Sequence, residues 1–152
     1  MRSDRLCEAG ILFGTVPWLA LMLRSGRAGT AGGEPVQPVP LADLWVLAQG
    51  PVGELAVQVA ANLAAFAAFG FFAPVRFAAL ASLPRLLLVA AAGSLAVEVV
   101  QWALFTGRVT SVDDVLLNAA GAGLAALCSR RWWARWRGRH RGGAPAAAPS
   151  TR

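Results

Sequence analysis

The stretch Leu86–Phe105 reads LLLVAAAGSLAVEVVQWALF, and Glu98 is its only charged residue. A helix rises about 1.5 Å per residue, so this run is long enough to cross the ~30 Å hydrocarbon core of a bilayer. Three further stretches read the same way: Leu6–Leu23, Leu55–Val75 and Val112–Cys128. The first carries Glu8 near its start. The last is short and opens with Asp113 and Asp114, so it needs cover from its neighbours. The expected fold class is all-α, a polytopic membrane helix bundle of about four transmembrane helices.

Composition agrees. Hydrophobic residues make up 57% of the chain and charged residues 14%, against about 25% charged in a typical soluble domain. A chain of 152 residues has a large surface for its volume, and this one has too few polar groups to cover it in water. Its length allows one domain, residues 1–129, followed by a tail, residues 130–152.

Arginine placement sets the orientation. All fourteen basic residues are arginine. With the N-terminus inside, eleven of them are cytoplasmic: Arg2, Arg5, Arg76, Arg85 and the seven after Ser129. Only Arg24, Arg27 and Arg108 then lie outside. Cytoplasmic segments concentrate arginine, so both termini are expected in the cytoplasm of a bacterial plasma membrane protein. Arg2 and Arg5 before an apolar run, with small residues at Gly29-Thr30-Ala31, also resemble a signal peptide. The uncleaved helix is the favoured reading.

The segment between the first two stretches is rich in Gly and Pro through Pro40. It continues as LADLWVLAQ, with Leu41, Leu44, Trp45 and Ala48 at helical spacing. A short interfacial helix on the outer surface is expected there, with Trp45 at headgroup level, and a plain loop is the alternative. Gly70 and Pro74 are expected to loosen or end the second span near its inner face. Pro84 suits the first turn of the third. After Cys128 the sequence SRRWWARWRGRHR interleaves arginine with Trp132, Trp133 and Trp136. That pattern fits anionic lipid headgroups, and its tether to the membrane argues against nucleic acid. The last residues, GGAPAAAPSTR, read as disordered. Cys7 and Cys128 stand alone, His140 is distant, and neither a metal site nor a cofactor is expected.

Polar residues inside the spans coincide in depth. Asn62 lies seven residues into the second span, Glu98 seven residues back from the end of the third, and Asn118 six residues into the fourth. All three are therefore roughly 10 Å below the outer boundary. One turn nearer the surface are Gln58, Gln101 and Asp114, each on the same helix face as its partner. Arg108 and Asp113 lie just above. An acid at this depth costs a few kcal/mol and needs a partner, water or a function. The eight residues form a candidate outward-facing polar pocket. The competing structural reading is interhelical hydrogen bonding, worth about 0.6 kcal/mol per contact on average.

These residues also carry a family resemblance. Asn62 to Phe66, then Phe69-Gly70, resemble one block of the VanZ-like membrane proteins. Glu98-x-x-Gln101, Gly107-Arg108 and Asp113-Asp114-x-x-x-Asn118-x-x-Gly121 are similar to a second, in order and spacing. Departures fall at Ala68, where the family often has proline, and at Ala125, where it often has glycine. The resemblance implies a multi-pass cell-envelope protein. The family's namesake is linked to low-level resistance to the glycopeptide teicoplanin, and no catalytic mechanism is implied.

Three functions compete at this stage. One is a non-enzymatic envelope protein whose pocket binds a lipid-linked or glycan group at the outer leaflet. Another is a membrane enzyme acting on a lipid or lipid-linked substrate, with Glu98 or Asp114 as general acid/base. The spans hold no His and no GxSxG nucleophile motif, which weighs against it. The third is a small proton-coupled transporter, for which four helices without internal repeats are thin unless they oligomerise. Oligomeric state is not encoded in any of these features.

Overall fold

A computed structural model describes residues 2–24, 36–103 and 110–141, with side chains over 4–20, 38–100 and 111–134. The chain forms α1 (Arg2–Arg24), β1 (Val36–Gln37), α2 (Ala42–Ala48), α3 (Val52–Ala65), α4 (Ala67–Arg76), a 3₁₀ turn (Ala78–Leu80), α5 (Leu83–Ala103), β2 (Thr110–Ser111) and α6 (Val112–Arg141). Apart from a two-residue parallel pairing of β1 with β2, the regular structure is helical.

Among the described residues, three helical segments are long and apolar enough to cross a membrane: Val52–Arg76, Leu83–Val100 and Val112–Ala134. Helix α1 is not one of the three. Its side chains are described over residues 4–20 alone, which is shorter than a span. It nevertheless runs along α4 in antiparallel register. Glu8 pairs with Arg76 at 2.6 Å, Gly10 faces Phe72 and Gly14 faces Ala68.

Helix α6 is the hub, packing against α3, α4 and α5, while α1 reaches the bundle through α4. Small residues make the hub. Gly70 of α4 lies against the backbone of Ala122, and Gly121 of α6 lies against that of Leu63. A β-carbon at either position would overlap a backbone carbonyl, so close approach requires glycine there. The core is correspondingly modest: Ala65, Phe66, Ala90 and Ala122 in one cluster, Ala73, Leu86 and Ala126 in another. Large apolar side chains such as Leu88, Val99 and Leu124 point outward instead. Lipid tails solvate such side chains, so a membrane bundle need not bury them.

Two elements differ from the expected boundaries. The second span is broken at Phe66, where α3 ends and α4 begins, and not at Gly70 or Pro74. The Phe66 ring is buried in the core and the backbone leaves helical geometry there, while Gly70 serves the contact with Ala122. Helix α6 continues past Cys128 to Arg141, because arginine, alanine and tryptophan all accommodate a helix and no proline intervenes. The expected surface helix forms as α2, with Trp45 and Val46 exposed. The expected disorder after Arg141 lies outside the described residues.

Candidate functional site: a buried acidic cluster at the start of α6

The site is organised by the start of α6. Ser111 precedes the helix, and its Oγ accepts the Asp113 backbone N–H at 3.2 Å, an N-terminal cap. Asp113 and Asp114 then occupy the first turn, where the positive end of the helix dipole favours carboxylates.

The two aspartates serve different elements. Asp113 is buried and accepts the backbone N–H groups of Leu41 and Leu44, the latter at 3.1 Å. It thereby caps α2, which has no capping side chain of its own. Leu41, with φ of 66°, takes the left-handed backbone conformation at that junction. Asp114 faces α3 instead. Its Oδ1 accepts Gln58 Nε2 at 2.9 Å and Asn62 Nδ2.

One turn deeper on α6, Asn118 Nδ2 donates to Ser94 Oγ of α5 at 2.7 Å. Gly123 of α6 meets Leu87 of α5, so residue numbers run in opposite directions along this pair and the helices are antiparallel. One turn outward from the Asn118–Ser94 bond are therefore Asp114 on α6 and Glu98 on α5, at the same level. Glu98 and Asn118 are each 1% exposed and Asp114 is 4% exposed. Asn118 Oδ1 is buried with no hydrogen-bond partner among the described residues.

The structure thus brings Gln58, Asn62, Asp114, Asn118 and Glu98 into one layer where α3, α5 and α6 meet. Asp113 sits beside that layer and holds α2 above it. Gln101 is on α5 one turn beyond Glu98 at the residue level, but its side chain lies outside the described ones, and Arg108 lies outside the described residues altogether. Ser94 was missed by sequence reasoning. Its signal was its place four residues before Glu98 on the same helix face, but a serine in a membrane helix ordinarily bonds its own backbone and draws no notice.

The model of the VanZ/LLP1 family matches residues 13–134, a range that contains every residue of the cluster. No curated protein and no solved structure matches the chain.

Proposed function

This chain belongs to the VanZ/LLP1 family, and we propose that it is a multi-pass protein of the bacterial cell envelope that binds a polar group at the outer leaflet. The group is part of a lipid-linked or glycan molecule, and it is held by Glu98, Asp114 and Asn118 without being chemically transformed. One observation carries this reading: two carboxyl side chains from different helices are buried at the same level. An acid in a membrane interior costs a few kcal/mol. The bundle does not need that expense to assemble, because α6 already meets α3 and α4 through Gly121 and Gly70. A role in the response to teicoplanin-type glycopeptides follows if the bound molecule is a cell-wall precursor or the surface that displays it.

The test is deletion followed by complementation with wild type, Glu98→Gln or Asp114→Asn. Teicoplanin susceptibility, lipid-linked precursor levels and protein abundance are measured together. Deletion is expected to change susceptibility or precursor levels, and each variant is expected to restore abundance but not phenotype. Full restoration by both variants would end the reading.

A further inference from the structure

At the opposite end of the bundle, we infer that an anionic phospholipid is seated where α4 meets the later part of α6, its phosphate held by Arg131 stacked on Trp132. Charge is the first support. Gln58 beside Asp114 and Gly70 beside Ala122 keep a nearly constant difference in residue number, so α6 runs parallel to α4. Arg130 and Arg131 are therefore level with Arg76 at the end of α4, and both are exposed. The chain has no acidic side chain after Asp114 and none between Glu54 and Glu98. Asp4 and Glu8 of α1 are thus the acids at this end among the described residues, and Glu8 is bound to Arg76 at 2.6 Å. Arg130 and Arg131 meet no carboxylate from their own helix or from the adjoining ends of α4 and α5. The stretch from Ser129 to Arg152 adds arginines and no acid. This end is complementary to an anion that the helices around it do not supply.

Geometry selects what carries the anion. Arg131 Cζ lies 4.1 Å from the centre of the Trp132 ring. That ring is 5.6 Å from Phe71 of α4, which meets Phe72 at 5.0 Å. A guanidinium over an aromatic face keeps its N–H fork free, and the fork matches two oxygens of a phosphate. The platform is fixed from the other side of α6. Trp133 is buried, and its indole N–H donates to the Ala126 carbonyl at 3.1 Å, which sets the rotation of the helix and the direction of Trp132. Arg130 and Arg131 also fall within the last two turns of the apolar segment Val112–Ala134. Leu124 and Leu127 are exposed on the turns just before them. Apolar surface therefore runs directly into the guanidiniums. A nucleic acid or an acidic protein would meet the charge and leave that belt uncovered. An anionic phospholipid meets both, with acyl chains along the helices and phosphate at the arginines.

The test uses the full chain purified in detergent. Native mass spectrometry reads retention of added phosphatidylglycerol or phosphatidylcholine, and fluorescence anisotropy reads binding of a labelled uridine decamer. Wild type should retain phosphatidylglycerol at least about tenfold over phosphatidylcholine, and the preference should weaken as salt rises from about 0.1 to about 0.5 M. Arg131→Gln, checked for helix content and monodispersity, should lower phosphatidylglycerol retention about fivefold, equivalent to ~1 kcal/mol for one arginine at a headgroup. Phosphatidylcholine retention should not change. Arg131→Lys keeps the charge without the planar fork and should lose about threefold. Arg85→Gln removes the same charge from the first turn of α5 and should lose less than about twofold. Equal losses in Arg85→Gln and Arg131→Gln would mean a diffuse field of charge and overturn the site. An Arg131→Lys variant that binds as wild type does overturns the stacked fork. No preference between the two lipids overturns the lipid assignment, as does decamer binding that Arg131→Gln abolishes.

Discussion

Successive residues on a helix project about 100° apart, so Asp113 and Asp114 cannot reach the same neighbour. Asp113 turns to the backbone of α2 and Asp114 to the side chains of α3. Their removal should therefore have different consequences. Asp114→Ala strands Asn62, whose side chain is buried beyond the reach of water. The loss should be about 1–3 kcal/mol of stability in a detergent or urea unfolding assay. Ser94→Ala breaks one neutral bond and removes its acceptor from Asn118, and it should cost about 0.6 kcal/mol, the average for such contacts between membrane helices. A Ser94→Ala variant as unstable as Asp114→Ala would mean that the α5–α6 bond, not the acid, organises the layer. Depth was legible in the sequence at this scale. Helical rise counts Asn62, Glu98 and Asn118 to one level, and it is right to within a turn: Asn62 and Glu98 lie with Asp114, while Asn118 pairs with Ser94 one turn deeper. The partner of Asp113 was not legible, since Leu41 and Leu44 are about seventy residues away and offer only backbone N–H groups, which any residue has.

Helices in this bundle are held by two kinds of contact, one dispensable and one not. Asp113 holds α2 by its N-terminal N–H groups, and a lost cap costs about 0.5–2 kcal/mol. Asp113→Ala should speed amide hydrogen exchange at Leu41 and Leu44 by a few-fold to about thirtyfold, with exchange in the middle of α6 unchanged. Exchange accelerating throughout α6 would show that Asp113 supports the bundle and not α2 alone. Gly121 and Gly70 are of the other kind. Gly121→Leu would drive a side chain into the Leu63 carbonyl, and Gly70→Leu into that of Ala122. Neither backbone can retreat without separating α6 from α3 or α4. Both variants should fail to yield monodisperse protein, while Gly53→Ala, with open space around its β-carbon, should purify as wild type does. Gly121 was legible in the sequence as part of the second block of the resemblance. The break at Phe66 was not, because glycine and proline are the local signals for a break and both stand further along, whereas the bend follows a phenylalanine ring into the core.

Across the whole molecule, the register of α1 against α4 decides how many times the chain can cross a membrane. Glu8 opposite Arg76, Gly10 opposite Phe72 and Gly14 opposite Ala68 keep nearly constant sums of residue numbers, so α1 climbs as α4 descends. The Glu8–Arg76 pair is part-exposed and worth at most about 1 kcal/mol. Glycine packing must therefore supply most of what holds α1 in place. If α1 crosses, both termini share the side to which arginine is biased. If it lies along a surface, they end on opposite sides. In a background carrying Cys7→Ser and Cys128→Ser, single cysteines at Trp45→Cys and Ala134→Cys and an N-terminal tag discriminate the two. A membrane-impermeant maleimide added to intact cells should label position 45 and spare position 134, and the N-terminal tag should be protected from external protease. A tag digested from outside, with position 134 still protected, would mean that α1 does not cross. The crossing number would then be three, and the layer of Glu98, Asp114 and Asn118 would still face the same leaflet, because its depth is set by α3, α5 and α6 alone.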